Sequence, residues 1–462
     1  MTDRQTKRSV LIVAAFAAFL TPFMGSSINL ALPSIGEEFG ISAVNLNWIV
    51  SSYILSTAMF LLPFGRLADI AGRKKIFFQG ILLFSIVTFL IFLARTFLQL
   101  IVLRVAQGFA SAMIFGTSLA IITSVFPPGE RGRAMGINVT AVYVGLSTGP
   151  FLGGLLTRFF GWRSIFLCLV PLGIASLILI SRKLKGEWAE SKGEKFDISG
   201  SAVYGLSLLM IMYGFSKLPS MLGFLLIAGG VAVFLLFLVI EKRVVNPVLN
   251  ITLITGNRVF ALSGLAAFIH YAATSAIGFF ASLYLQYIKG LDPASAGLVL
   301  IAQPVTMALL SSYAGHLSDR FHPGRIASAG MAVTAVAIIA MCFITTNTEV
   351  SVLTAMLVVI GVGFAFFSSP NTNAIMSSVE KKNLGLASGM VGTMRMAGQM
   401  ISMGISMLLF ALFLGKDPIN VSNYPAFLAS MKTGLAIFAA LCVLGVFASL
   451  ARNAAGSNNK NQ

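Results

Sequence analysis

The sequence predicts an all-α membrane protein with fourteen spanning helices, and three observations carry that expectation. Hydrophobic residues make up 57% of the 462 positions and charged ones only 10%. A soluble domain holds roughly a quarter charged residues, so a water-soluble globule of this size would have too little charge to cover its surface. The apolar residues fall into fourteen runs, each close to the ~20 residues that a bilayer crossing needs, and Lys and Arg concentrate in alternate breaks between them. These features exclude a soluble enzyme, a disulfide-stapled secreted domain and a disordered chain.

The first run, about 10 to 33, follows Arg4, Lys7 and Arg8 and is too long for the apolar core of a signal peptide. Runs at about 44 to 64, 76 to 94, 98 to 122, 134 to 157 and 164 to 181 complete a first set of six. The Lys- and Glu-rich stretch from Arg182 to Asp197 reads as a linker into a pair at about 199 to 216 and 221 to 240. Six more follow at about 259 to 285, 293 to 313, 326 to 345, 350 to 370, 384 to 413 and 426 to 450. An even number returns the C-terminus to the side of the N-terminus. With that side cytoplasmic, 23 of the 32 Lys and Arg lie in cytoplasmic segments and seven in outer ones, while Arg104 and Arg395 fall inside helices. The net charge of +17 is therefore read as topology; no stretch outside the apolar runs is long enough for a nucleic-acid-binding domain. Cys168, Cys342 and Cys442 are far apart in apolar runs, which indicates neither a metal cluster nor a disulfide framework.

An internal repeat divides the chain. Gly65-Arg66-Leu67-Ala68-Asp69 closes the second run and Gly315-His316-Leu317-Ser318-Asp319-Arg320 closes the tenth, with Asp69 and Asp319 250 residues apart. Two duplicated six-helix bundles follow, residues 1–182 and 259–462, with a linker and two inserted helices in 183–258 between them. Parallel repeats with a binding site at their junction are one of the known transporter architectures.

Four motifs give this layout a family resemblance. They are Gly65 to Arg73 with Lys74-Lys75; Arg104-Val105-Ala106-Gln107-Gly108; Gly145-Leu146-Ser147-Thr148-Gly149-Pro150-Phe151-Leu152-Gly153-Gly154; and Ser27-Ile28-Asn29-Leu30-Ala31-Leu32-Pro33. Together they resemble the fourteen-helix drug:proton antiporter branch of the major facilitator superfamily. The resemblance covers nearly the whole chain. It implies the major facilitator fold, two bundles plus two extra central helices with both termini cytoplasmic, and export by alternating access.

Several side chains become candidates. Gly65, Asp69 and Arg73, with Asp319 and Arg320 in the second copy, read as a gate: Asp69 at a helix end can accept from Arg73 and from the N-terminus of a facing helix. A solvated turn is the other reading. A guanidinium inside a span costs at least ~2.5 kcal/mol unless it faces a cavity or a partner, so Arg104 must point inward. The resemblance places it near the first helix, where Thr21, Ser26, Ser27 and Asn29 are available acceptors; its part is in coupling and substrate binding, or in tying two helices together. Gln107, Gln303, Asn371, Asn373, Arg395 and Gln399 are the other polar residues expected to face the cavity. His270 is the one imidazole expected at membrane depth, and its ~6.5 reference pKa suits a proton carrier; a hydrogen-bonded core histidine is the alternative, and Glu37 or Glu38 in an outer vestibule a further one. Gly145, Gly149, Pro150, Gly153 and Gly154 read as a hinge or as plain close packing. Met396, Met400, Met403 and Met407 recur at helical spacing and suit either an adaptable cavity wall or core packing.

The chain departs from the family at Met24, which stands where the antiporter pattern usually has an Asp. No expected helix centre carries a carboxylate, so neutral, zwitterionic or anionic amphipaths are expected to be handled better than permanent dications. The functional expectation is a plasma-membrane exporter of small amphipathic molecules, monomeric, with protons as coupling ion, no bound cofactor or metal and no nucleic-acid partner. An exporter of an endogenous lipid or anionic metabolite, and a non-transporting sensor or scramblase on the same scaffold, are the alternatives. Nothing resembles a nucleotide-binding loop, a zinc signature or a hydrolase elbow, so no enzymatic activity is expected.

Overall fold

The computed structural model describes residues 3–184, 186–249, 251–379 and 384–458. Among the described residues every regular element is helical, and fourteen helices are long and apolar enough to cross a membrane. In order they are Lys7–Phe39, Ala43–Ala71, Arg73–Phe92, Phe97–Val125, Ala134–Phe160, Ser164–Lys183, Ile198–Lys217, Met221–Glu241, Arg258–Ile288, Pro293–Ser318, Pro323–Met341, Val350–Ser377, Ala387–Phe413 and Val421–Leu450. In hydrocarbon every backbone N–H and C=O must be paired inside the segment, and only a helix or a closed barrel does this. That requirement explains why most helices outrun the apolar windows.

The first helix departs most from expectation. It passes straight through Pro22 and Pro33 and stops at Phe39, ahead of Gly40 with φ of 58°. Proline is tolerated where neighbouring helices cover the freed carbonyls. The last turn then carries Glu38, which takes both guanidinium nitrogens of Arg163 (2.7 and 2.8 Å) and the Trp162 indole N–H (2.7 Å). Glu38 thus ties down the fifth-to-sixth connection. The sixth helix is broken near Leu169, where Pro171 starts the second piece.

Within the first bundle, helix one packs on five and helix two on four; in the second, nine packs on thirteen and fourteen, and eleven on twelve. The halves meet where two meets thirteen and where five meets the start of ten. The inserted seventh and eighth helices pair through Gly214, Gly223 and Gly230, each so close to its neighbour that a Cβ would lie 3.0 Å or less from backbone atoms. The seventh rests on helices two and thirteen: Tyr204 donates to the Ala58 carbonyl (3.2 Å) and the Phe215 ring lies against Gly404. The eighth is largely exposed and contributes little to the core.

Candidate functional site

A cavity of about 1300 Å³ runs up the junction of the halves. Its wall comes from helices one, two, four and five on one side and nine, ten, twelve and thirteen on the other. Its lining reaches Arg66, Asp69, Arg73, Glu190 and His316 at one end of the bundle, which is its mouth, and stops at Asn29, Gly278 and Met403 toward the other.

Beyond that point the halves are joined by small residues and backbone groups. Ser282 donates to the Asn29 carbonyl (2.7 Å) and Asn47 to the Met403 carbonyl (3.1 Å). A Cβ on Gly154 would stand 2.3 Å from the Pro293 carbonyl oxygen, and one on Gly297 2.3 Å from that of Pro150. Arg158 on the fifth helix pairs with Asp292 (2.9 Å), whose carboxylate also caps the tenth through the Ala294 and Ser295 amides and the Ser295 hydroxyl. The Ser295 hydroxyl first, then those amides and the Arg158 charge, hold the Asp292 carboxyl below the ordinary carboxylate range.

The glycines singled out in the fifth helix therefore work on two faces. Gly145, Gly149 and Gly153 let it approach Phe19, Phe23, Ser26 and Ser27 of the first helix inside one bundle, and Ser27 donates to the Gly149 carbonyl (2.9 Å). Only Gly154 and Pro150 meet the other bundle.

Arg104 is fully buried and lines the cavity. Its acceptors differ from the expected ones: Nε donates to the Ile49 carbonyl on the second helix (2.9 Å) and Nη1 to the Gln107 side chain (2.6 Å), not to the first helix. Of the expected first-helix acceptors, Ser26 is bound to the Pro22 carbonyl and Ser27 to the Gly149 carbonyl of the fifth helix, while the Thr21 hydroxyl and the Asn29 Oδ1 are buried without a partner and do not reach the guanidinium. The Arg104 guanidinium also lies over the Tyr53 ring at 4.5 Å, and Tyr53 donates to Ser111 (2.9 Å). Nη2 has no partner. Gln107, expected on the cavity wall, is buried behind Arg104, accepting from it and donating to Thr88 (2.8 Å).

Opposite, Arg395 lines the cavity with its guanidinium 5.3 Å from the Phe115 ring centroid and its Nε unpartnered. Asn29, Gln303, Asn373 and Gln399 also line it; the Asn29 Oδ1 is buried without a partner and Asn373 donates to Ser318 (2.9 Å). Among the described lining residues the only carboxylates are Asp69 and Glu190, both at the mouth. Met396 and Met403 face the cavity, whereas Met400 and Met407 are core.

Two further expectations are corrected. His270 is wholly buried, stacked on Phe367 at 4.0 Å with Phe364 edge-on at 4.8 Å, and neither ring nitrogen has a hydrogen bond. It is neither on the cavity wall nor a hydrogen-bonded core residue; a charged imidazolium in this aromatic box would have no acceptor and no counter-charge. Asn371 is likewise buried, tying helix twelve to nine through the Ser263 carbonyl (3.1 Å). The reason is register: Thr372 and Asn373 take the wall, and Asn371 turns away from it.

At the mouth, Arg73 holds Asp69 (Nε 2.8 Å, Nη2 2.7 Å) and, among the described residues, makes no hydrogen bond or ion pair with the second bundle. It donates instead to Ser124 (2.6 Å) and Glu190 (2.7 Å). Glu190 belongs to a strap that the sequence reading took as a plain linker. Glu187 accepts from the Lys74 and Lys75 amides, the Trp188 carbonyl takes the Arg73 amide (2.8 Å), the Ser191 amide donates to the Asp69 carbonyl (3.0 Å), and Glu194 pairs with Arg66. Glutamates at 187, 190 and 194 facing the Arg66 to Lys75 cluster were the available signal. Gly65 lies against Gly116 of the fourth helix. Arg320 is exposed at the end of the tenth helix, and the Asp319 side chain lies outside the described residues.

A cavity shared by two bundles, open at one end and shut at the other, defines a multi-pass membrane transporter. The sequence profile of the Major Facilitator Superfamily matches residues 14–266 and 263–462, and the chain belongs to that family. It is 27% identical to the riboflavin transporter RibZ of Clostridioides difficile (strain 630), over 95% of each chain. It is 30% identical to the cephamycin export protein CmcT of Amycolatopsis lactamdurans, over 97% of this chain and 94% of the relative. To the tetracenomycin C resistance and export protein of Streptomyces glaucescens it is 27% identical over 88% and 76%. Among solved structures, a bacterial homolog of the human lysosomal transporter Spinster in an inward-facing, unoccupied conformation shares the fold, with a TM-score of 0.70 at 16% identity over 97% of each chain. The relatives and structural neighbours are transporters, not enzymes.

Proposed function

We propose that the protein exports small amphipathic molecules across the cell membrane by alternating access, with both termini and the cavity mouth cytoplasmic and protons as the coupling ion. It works as a monomer. The observation that carries this reading is the junction cavity, apolar along most of its wall and walled by Phe115, Tyr143, Tyr271 and Phe364 with a few polar groups among them. Such a wall binds amphipaths by area and adaptable contact rather than by one fixed hydrogen-bond pattern. The export names of two relatives support the direction, and the three-to-one Lys and Arg bias supports the sidedness.

An anionic metabolite or lipid as natural cargo is favoured by a specific observation: Arg104 and Arg395 at depth, each with an unpartnered nitrogen and no carboxylate near. The test is uptake into inside-out proteoliposomes of a matched amphipath series, anionic, neutral and dicationic, with and without a proton gradient. Gradient-driven uptake of the neutral and anionic members is expected. Uptake confined to the dication, or transport of none of them, would overturn the reading.

A further inference from the structure

Below the inserted pair, at the end of the bundle that carries the cavity mouth, two carboxylates face each other. Asp197 is the N-cap of the seventh helix, holding the Gly200 amide (2.8 Å) and the Ser199 hydroxyl (2.7 Å) with Oδ1. Glu241 ends the eighth helix and accepts the Leu249 amide (2.8 Å) with Oε2. Both residues are more than nine-tenths buried, 8% and 3% exposed. The second oxygen of each, Asp197 Oδ2 and Glu241 Oε1, is buried with no hydrogen-bond partner. Both oxygens aim at one spot: a Cβ placed on Gly200 would lie 2.2 Å from the first and 2.5 Å from the second.

Two buried acceptors in each other's reach with nothing between them are mutually repulsive when both are ionised. Among the described residues the surrounding charges do not relieve this. Arg66 on helix two is held by Glu194 and Ser191, and Arg395 on helix thirteen lies over Phe115. Lys192 and Lys195 before the seventh helix, and Lys242 and Arg243 after the eighth, are not within ion-pairing distance of either carboxylate, and Lys195, Lys242 and Arg243 are exposed. A proton between the two oxygens turns the repulsion into a charge-assisted O–H···O⁻ hydrogen bond, among the strongest available to a side-chain pair. A metal cation would need more oxygen ligands than two carboxylates supply here, and no group of three or more candidate ligands occurs among the described residues.

We infer that Asp197 and Glu241 form a proton-binding site, which holds one shared proton and fastens the base of the inserted helices. Its position gives it reach. Asp197 follows directly on the strap that grips Asp69, Arg73 and Arg66 of the first bundle. Glu241 holds the amide of Leu249 in the segment leading to the second bundle, and Pro247, Val248 and Leu249 form part of the cavity mouth. The proton joins the two chain crossings between the bundles. Its loss leaves two like charges facing each other and pushes the two crossings apart.

The sign of the pH effect follows from linkage. The native state binds a proton that the unfolded carboxyls release above their ordinary range of ~4, so the stabilisation is present at low pH and is lost as pH rises. The full-length protein in nanodiscs is followed by thermal unfolding at about pH 5.5 and pH 8, and by infrared spectroscopy of the protonated carboxyl band at about pH 6. The wild-type midpoint is expected to fall by about 2–5 °C as pH rises. In E241Q, whose amide replaces the shared proton as donor to Asp197, that fall is expected to be abolished, and the carboxyl band should be absent from E241Q and from D197N alike. A fall of the same size in wild type and E241Q would overturn the inference, as would a wild-type spectrum without the band. Restoration of the wild-type midpoint at pH 8 by sodium but not by choline would also overturn it, in favour of a cation site. None of these readouts involves transport, so failure of the proposed export and failure of this site are distinguished.

Discussion

Arg104 shows how a costly residue is made tolerable inside a membrane. Its charge is spread over a carbonyl, an amide oxygen and an aromatic face, and one nitrogen is left buried without a partner. A lysine keeps the charge but not the planar fork that reaches Ile49 and Gln107 together. R104K is therefore expected to lose about tenfold in transport rate while remaining folded, checked by uptake normalised to the amount of monodisperse protein. His270 is expected to behave in the opposite way. In its box of Phe364, Phe367 and Tyr271 a phenyl ring meets the same surroundings without two unsatisfied nitrogens. H270F should transport within about twofold of wild type and unfold at no lower temperature, because removing unpaired buried polar atoms is neutral or stabilising. The presence of His270 at membrane depth is legible in the sequence. Its surroundings are not, because Phe364 and Phe367 come from a helix nearly 100 positions later.

At the scale of single elements, the fifth and tenth helices carry the seal beyond the cavity. G154A forces a methyl group against the Pro293 backbone, which cannot yield as a flexible side chain would. Overpacking of this kind costs about 1–3 kcal/mol, here charged to the closed far end. A cysteine at Ser282 should consequently become more reactive to a membrane-impermeant thiol reagent added from the far side. D292N removes the partner of Arg158 and weakens the cap of the tenth helix, and should act in the same direction. Because the Asp292 carboxyl is held below the ordinary range, the clasp is present at every pH above ~4 and is lost only as pH falls below that. In a pH series the same cysteine in the wild-type background should be protected throughout neutral and mildly acidic conditions.

Which elements are readable in advance follows from what sets them. The fourteen spans are legible because each is a composition effect confined to its own window, and the duplication because Gly65 to Asp69 and Gly315 to Asp319 stand at one fixed offset. Helix ends such as Phe39 are less legible, since tertiary cover decides whether Pro33 stops a helix. Wall positions such as Asn373 against Asn371 depend on helix rotation within one turn. The glutamate strap escapes detection for another reason: its partners, from Arg66 to Lys75, lie over a hundred residues away.

For the whole molecule, the depth of the cavity offers two guanidinium groups and, among the described lining residues, no acid. The consequence concerns membrane voltage. A cell interior is electrically negative, and moving one elementary charge through 100 mV is worth about 2.3 kcal/mol. An anion leaving through this pathway runs down that field, whereas a dication climbs it. Anionic cargo should thus leave faster when a potassium diffusion potential, inside negative relative to the cargo's destination, is imposed on proteoliposomes, even with both sides buffered to one pH. The binding chemistry of the pathway and its power supply would then be set by the same two arginines.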